Sequence, residues 1–284
     1  MAVKGEKRNI VVLINTIDIH FLVPLYGKRL EKQKKMFLID SIKTFGSYLM
    51  LMGRVLSRPQ RWRIFFRQTL HETYQLGVNS IPIVLLISFF IGAVICIQMK
   101  LNVESPWMPK FVVGYATREI LLLEFSSSIM CLILAGKVGS NITSEIGAMR
   151  VTQQIDALEI MGVNSANFLI LPKVTALMST IPIMVIFSIA AGTAGAFAIG
   201  EFTGIMTPQD LIVGLQYEFN QWYIWCSVIK AIFFAFIITS VASFYGYNVK
   251  GGSIEVGKAS TNAVVSCSVL ILFSDMILTQ LLMQ

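Results

Sequence analysis

Charged residues are scarce in this chain. Asp, Glu, Lys and Arg make up 14% of its 284 residues and apolar residues make up 55%, whereas an ordinary soluble domain is about 25% charged. This composition excludes an ordinary soluble enzyme or binding domain and indicates a protein of the lipid bilayer. Because a charge is costly inside hydrocarbon, each ionisable residue within an apolar run is a candidate functional residue.

Cysteine and histidine are too few and too scattered to form a metal site. The chain has two histidines and four cysteines, none in a CxxC pair: His20, His71, Cys96, Cys131, Cys226 and Cys267. Isolated cysteines in apolar runs are typical of small packing residues. We expect no metal, no cofactor and no catalytic residue, since clustered His, Cys or paired acids are missing. A nucleic-acid partner is not expected either.

A nucleotide-binding P-loop is also missing. The sequence contains no GxxxxGK[ST] motif, because Gly136-Lys137-Val138 lacks both the preceding glycine spacing and the Ser or Thr that must follow the lysine. The chain therefore cannot bind ATP by a P-loop. If ATP drives its activity, the hydrolysis must occur in a partner chain.

Five apolar runs are long enough to cross a bilayer, which takes about 20 residues of helix. Two of them are free of charge, and the other three contain between one and three charged residues. They cover residues 73–99, 112–136, 174–200, 219–249 and 259–284. This pattern predicts an all-α membrane protein with five transmembrane helices, with residues 78–284 as the five-span domain.

The distribution of basic residues predicts the orientation. Fourteen of the 23 Lys and Arg residues precede the first run, three lie in residues 137–173 and two in residues 246–262. Cytoplasmic loops carry the excess of basic residues. We expect a multi-pass membrane protein with a cytoplasmic N-terminus and a C-terminus on the opposite side of the membrane.

Two N-terminal segments precede the five runs. Residues 1–35 combine a broken apolar stretch with a charge run, so they are either a disordered or interfacial extension or the product of an upstream start codon. Residues 36–77 begin with one apolar stripe at helical spacing: Leu38, Ile42, Phe45, Leu49, Met52 and Leu56. The stripe predicts amphipathic helices in the membrane interface, and a soluble amphipathic helix is the alternative.

The polar segment between the second and third runs predicts an amphipathic helix at about residues 141–163. Its charged and hydrogen-bonding groups are Arg150, Gln153, Asp156 and Glu159, and Gly162 is typical of a helix end. A short helix of this kind can transmit force when the groove of a partner holds it. The alternative is a helical loop that only closes the bundle.

Three charged residues lie deep inside the apolar runs: Glu124, Lys230 and Asp275. Two more, Arg118 and Glu119, lie near the start of the second run. At 1.5 Å per residue, Glu124 and Lys230 are expected about 20 to 24 Å from the cytoplasmic boundary, and Asp275 about 18 Å from it. A contact between Glu124 and Lys230 would remove much of the cost of burial. The residues are interpreted either as a functional patch on a transport path or as a structural ion pair.

Small residues recur in the third run, at Ala191, Gly192, Gly195, Ala196 and Gly200. Such spacing allows close approach of helices. It fits packing within the chain and a dimer interface equally well.

Three motifs lie in and beside the polar segment: AGKVGS at 135–140, SEIGAMRVT at 144–152 and QQIDALEIMGVN at 153–164. They resemble the MlaE-type permease family, the membrane subunits of ABC transporters that work with MCE proteins to move lipids across bacterial envelopes. The resemblance covers about residues 37–284. It implies a homodimer, a separate ABC ATPase subunit, a periplasmic MCE-domain protein and a phospholipid or related lipid as substrate. It also implies a location in the bacterial inner (cytoplasmic) membrane, with a periplasmic C-terminus.

The resemblance also implies roles for particular residues. The residues at 141–163 would form the coupling helix, in which Arg150, Gln153, Asp156, Glu159 and Gly162 meet the ATPase. Gln153 stands where the family commonly has Glu. Glu124, Lys230 and Asp275 would line the lipid path. Leu123 stands where the family has an arginine beside the glutamate.

One other function remains open from the residues alone. An ion-coupled secondary lipid transporter or channel could use the three intramembrane charges as an ion relay. That protein would be active without an ATPase and would depend on an ion gradient.

Overall fold

The computed structural model describes residues 42–57, 62–103, 109–204 and 207–283. The expectations for residues 1–35 lie outside this part of the chain. The chain divides into two compact units, Met1–Gly53 and Arg54–Gln284. In the first unit the described residues, from 42 onward, are helical, and Ile42, Phe45 and Leu49 are exposed.

Most described residues of the second unit are helical, and none of them lies in a strand. We number the helices in chain order: α1 at 42–55, which begins in the first unit, then α2 Trp62–Asn102, α3 Phe111–Val151, α4 Gln154–Ile160, α5 Ser165–Thr203, α6 Pro208–Gln216, α7 Trp222–Tyr247 and α8 Ser253–Met283. Five of them, α2, α3, α5, α7 and α8, are long and apolar enough to cross a membrane. The predicted all-α class and the five long apolar helices are confirmed.

Several helices are longer than the apolar runs that predicted them. α2 and α3 have 41 residues each, which at 1.5 Å per residue is about 60 Å, twice the hydrocarbon thickness of about 30 Å. The run that we placed at 112–136 continues as helix to Val151, and the run at 259–284 begins earlier, at Ser253. Hydropathy indicates where a helix leaves the hydrocarbon. The helical backbone hydrogen bonds continue past that point, through polar residues.

Two of the long helices contain wider or tighter turns. In α2 a π-helical turn, Thr73–Gly77, is followed by a 3₁₀ turn, Val78–Ser80. Pro82 explains the second turn, since it has no N–H for the carbonyl four residues before it. In α3 the π-helical stretches are Leu121–Ile129 and Ala135–Gly139.

Glycines allow α2 and α5 to touch along their backbones. A Cβ at Gly92 would collide with the carbonyl of Gly192, and a Cβ at Gly195 would collide with the carbonyl of Phe89. Both sites therefore require glycine for this approach. Of the two alternatives for the small residues of the third run, the structure uses Gly192 and Gly195 for packing within the chain.

Candidate functional site

The three intramembrane charges come together in the structure. The Lys230 ammonium of α7 lies 3.0 Å from the carboxylate of Asp275 on α8 and 3.7 Å from the carboxylate of Glu124 on α3. The side chain of Lys230 is 2% exposed and that of Asp275 is 13% exposed, whereas that of Glu124 is 46% exposed. We call Glu124, Lys230 and Asp275 the ionic cluster.

The members of the ionic cluster differ in burial, and this difference decides what each can contact. A buried ammonium requires nearby carboxylates, and two surround Lys230. Glu124 is the member that faces outward, so its carboxylate can accept hydrogen bonds from an ammonium or hydroxyl group of a ligand. The Lys230 side chain is buried, so its ammonium is not accessible to an anionic group in this arrangement.

The backbone of α3 is shaped by α7 at this level. The Lys230 ammonium donates a hydrogen bond to the carbonyl of Leu123 at 3.1 Å, and the Ser227 hydroxyl donates one to the carbonyl of Leu122. A side chain that bonds to a backbone carbonyl can replace that carbonyl's own helical hydrogen bond and so widen or bend the helix. Here both carbonyls belong to the π-helical stretch Leu121–Ile129. Leu123 thus contributes a backbone carbonyl where the family resemblance implies an arginine side chain.

Ser227 was missed by the sequence reasoning. It precedes Lys230 by one helical turn, which places both side chains on the same face of α7. A serine in an apolar run is weak evidence by itself, because its hydroxyl can bond to its own helix. Ser227 also makes that bond, to the carbonyl of Tyr223.

The depth expected for Asp275 counts from a membrane boundary, which differs from the start of its helix. The expectation placed the boundary near Ala263, whereas α8 begins at Ser253. Asp275 is therefore 22 residues, or about 33 Å, from the start of α8. Lys230 is only eight residues, or about 12 Å, from the start of α7 at Trp222, so the ionic cluster lies nearer to that end of α7.

Two helices with a break between them replace the single helix that we expected over residues 141–163. α3 continues to Val151, Gln153 adopts a left-handed backbone with φ of 59°, and α4 begins at Gln154. A residue in the left-handed region interrupts a right-handed helix. An ion pair of 2.5 Å between Arg150 and Asp156 spans this break. We call residues 150–165 the helical corner.

Glu159 fixes α4 to two of the long helices. Its carboxylate accepts hydrogen bonds from the hydroxyls of Ser165 on α5 and Tyr247 on α7, both at 2.9 Å. Gly162, with φ of 77°, follows the end of α4 and permits the turn into α5. Sequence reasoning gave Tyr247 no contact with this segment, because the two partners are 88 residues apart.

The hydrogen bonds also favour the charged form of Glu159. Donation by the Tyr247 hydroxyl, and then by Ser165, lowers the pKa of the Glu159 carboxyl below its ordinary value of 4.5. Glu159 therefore stays ionised to a lower pH than an ordinary glutamate. Gln153 is exposed, and Arg150 and Asp156 pair with each other. Contact of these residues with an ATPase stays a prediction.

Two apolar side chains at the end of α4 are exposed beside these polar contacts. Ile160 is 88% exposed and Met161 is 68% exposed, whereas Ile155 on the other side of α4 is fully buried. One face of α4 is thus packed against the protein, and another is exposed.

Comparison with known proteins identifies the family. The family model described as Permease MlaE matches residues 69–281, which is more than half of the chain. The chain belongs to the MlaE permease family.

Curated relatives match most of this MlaE-family chain. A probable ABC transporter permease protein of Rickettsia bellii is 30% identical over 249 residues, covering 86% of this chain and 93% of the relative. The intermembrane phospholipid transport system permease protein MlaE of Haemophilus influenzae is 32% identical over 246 residues, covering 86% and 94%. A probable ABC transporter permease protein of Synechocystis sp. is 30% identical over 241 residues, covering 82% and 89%. The predicted resemblance to the MlaE family is confirmed.

Proposed function

We propose that this MlaE-family permease moves phospholipid or a related lipid between the membranes of the bacterial envelope, driven by a separate ATPase. The observation that carries the proposal is the ionic cluster: a fully buried lysine beneath a half-exposed glutamate, among otherwise apolar helices. A headgroup is polar and its chains are apolar, so a lipid path needs both kinds of surface. The name of the Haemophilus influenzae relative supports the substrate class.

In this proposal the ionic cluster contacts the headgroup. Glu124 receives the ammonium or hydroxyl groups of the headgroup, and Lys230 becomes available to its phosphate when Glu124 turns away. Asp275 keeps Lys230 in place during the exchange, since it is 3.0 Å away and nearly buried. The headgroup is thereby exchanged between partners without leaving a bare charge in the membrane.

The helical corner is the proposed contact with the ATPase. It lies on the cytoplasmic side if the basic residues set the orientation. Arg150, Gln153, Asp156, Glu159 and Gly162 shape it, and the exposed Ile160 and Met161 offer apolar side chains to a groove of the partner. Motion of the partner then reaches α5 and α7 through the hydrogen bonds of Glu159.

The rest of the assembly follows from the family. Two copies of the chain form the membrane core in the inner membrane, and a periplasmic MCE-domain protein binds at the opposite end. There Trp222 and Trp225, both exposed, are suited to a membrane interface. The exposed apolar side chains of the described α1 residues support the interfacial helix.

Reconstitution tests this function. The permease, its co-purified ATPase and the MCE-domain protein are placed in vesicles with a fluorescent phospholipid, and lipid transfer is measured with ATP, without ATP, and with an imposed ion gradient. We expect transfer only with ATP. Transfer by the permease alone along an ion gradient would instead support the ion-coupled transporter, for which the three clustered charges are the motivating observation.

A further inference from the structure

A second buried cluster of charges lies outside the site described above. The ammonium of Lys173 on α5 is 2.6 Å from the carboxylate of Glu72 on α2 and 2.9 Å from that of Glu145 on α3. Lys173 is almost completely buried, and both carboxylates are mostly covered. We call Glu72, Lys173 and Glu145 the ionic node. None of these three residues has a part in the lipid contact or in the helical corner.

The ionic node joins three helices at one point. Each of its members comes from a different helix, and the single ammonium bonds to both acids. Removal of one partner would leave a charge buried without compensation, which is costly. Separation of α2, α3 and α5 at this level is therefore disfavoured, and the three helices are held as one rigid body there.

Along α3, the ionic node lies between the helical corner and the ionic cluster. Glu145 lies six residues before the end of α3 at the helical corner, and Glu124 of the ionic cluster lies 21 residues before Glu145 in the same helix. Between them is the π-helical stretch Ala135–Gly139. A π-helical turn is less regular than the α-helix around it and is frequent at functional sites. This π-helical stretch of α3 thus lies on the side of the ionic cluster.

We infer that the ionic node positions α3 for transport, so that a displacement of the helical corner moves α2, α3 and α5 together and reaches Glu124 through the π-helical stretch. The inference rests on the proposed function. Lys173 is a positioning residue in this scheme, since it does not touch the lipid. Without the node, motion at the helical corner would be lost as sliding between the three helices.

The test is Lys173→Met in the reconstituted complex with its ATPase and MCE-domain protein. Met keeps the length of the side chain and removes its charge. We expect ATP hydrolysis to continue while the lipid transferred per ATP falls by about fivefold or more, the lower end of the range typical for coupling between sites. The matched control is Lys258→Met, which removes an exposed ion pair with Glu255 and is expected to leave the ratio unchanged.

A charge exchange covers the case in which Lys173→Met fails to fold. Lys173→Glu and Glu145→Lys each change the charge of the node, whereas the double variant again has one lysine and two glutamates. We expect the double variant to fold and to regain lipid transfer per ATP that each single variant lacks. A folded double variant without this recovery would overturn the inference.

The remaining outcomes separate the inference from the function on which it rests. Folded Lys173→Met with an unchanged ratio, or with hydrolysis and transfer reduced in equal proportion, would remove the positioning role alone. A wild-type complex that hydrolyses ATP without moving lipid would remove the proposed function and the inference with it.

Discussion

Glu124 and Lys230 belong to one ionic cluster but differ sharply in exposure, with 46% of the first side chain and 2% of the second accessible. This difference separates the two interpretations of the cluster. A purely structural ion pair has no need of an exposed carboxylate, whereas a headgroup contact does. Substitution of the exposed member therefore tests function with little effect on stability.

Glu124→Gln is predicted to impair transport while the protein stays folded. Loss of the charge removes a charge-assisted hydrogen bond worth about 1.5–3 kcal/mol, so lipid transfer in vesicles should fall by about tenfold or more. The free energy of unfolding should change by less than about 1 kcal/mol, because the Glu124 carboxylate is half exposed and Asp275 still pairs with Lys230. The comparison variant, Lys230→Met, should lower it by about 3–5 kcal/mol, since it leaves the mostly buried Asp275 carboxylate without a cation. Normal transfer by Glu124→Gln would favour the structural ion pair.

Tyr247→Phe is predicted to raise the pKa of Glu159. The hydroxyl is the main cause of the lowered pKa, so its removal moves the pKa back toward 4.5. A carboxyl with a lowered pKa stabilises the folded state above its unfolded pKa, and this contribution is lost as pH falls through the folded pKa. The variant should therefore protonate Glu159 at a higher pH.

Carbon NMR of labelled glutamate carboxyls measures this shift. Tyr245→Phe is the matched control, because the neighbouring Tyr245 hydroxyl bonds to Ser266 and not to Glu159. The same Glu159 pKa in the wild type and in Tyr247→Phe would show that the Tyr247 hydrogen bond does not lower this pKa.

Among the helices, the contact between α2 and α5 depends most directly on residue size. Gly92→Ala places a methyl group against the carbonyl of Gly192, and overpacking of this kind costs about 1–3 kcal/mol. Gly257→Ala is the control in α8, where nothing lies within 4 Å, and there alanine should stabilise the helix by up to about 1 kcal/mol. Thermal unfolding in detergent should thus shift in opposite directions. A stabilised Gly92→Ala variant would contradict the close packing.

The helices also show what the sequence could predict. Their number followed from five apolar runs, because hydrocarbon demands about 20 apolar residues of each span. Their ends did not, since polar residues extend α3 to Val151 and α2 back to Trp62. The corner before α4 depends on a left-handed Gln153, and glutamine has no preference that announces this conformation.

The candidate site was predictable to a similar degree. Charges within apolar runs identified Glu124, Lys230 and Asp275 because such residues are rare in membranes. Their mutual distances, the role of Ser227 and the bond from Tyr247 to Glu159 required the tertiary structure, since the partners come from distant parts of the chain. The ionic node is a further case: Glu72, Glu145 and Lys173 lie in polar stretches where charges are ordinary.

On the scale of the whole molecule, charges join three helices at two places within the described residues of this MlaE-family permease. The ionic cluster joins α3, α7 and α8, and the ionic node joins α2, α3 and α5. α3 takes part in both and also leads into the helical corner. The proposed transport cycle therefore depends on one long helix that connects the ATPase contact to the headgroup contact.

Site-specific cross-linking tests this arrangement most directly. All four native cysteines are buried, so a cysteine introduced at an exposed position can be labelled selectively. Met161→Cys at the helical corner and Phe202→Cys at the opposite end of α5 are both strongly exposed positions. In native membranes we predict an adduct between position 161 and the ATPase subunit and none at position 202. An ATPase adduct at position 202, or labelling of position 161 from the periplasmic side, would contradict the account.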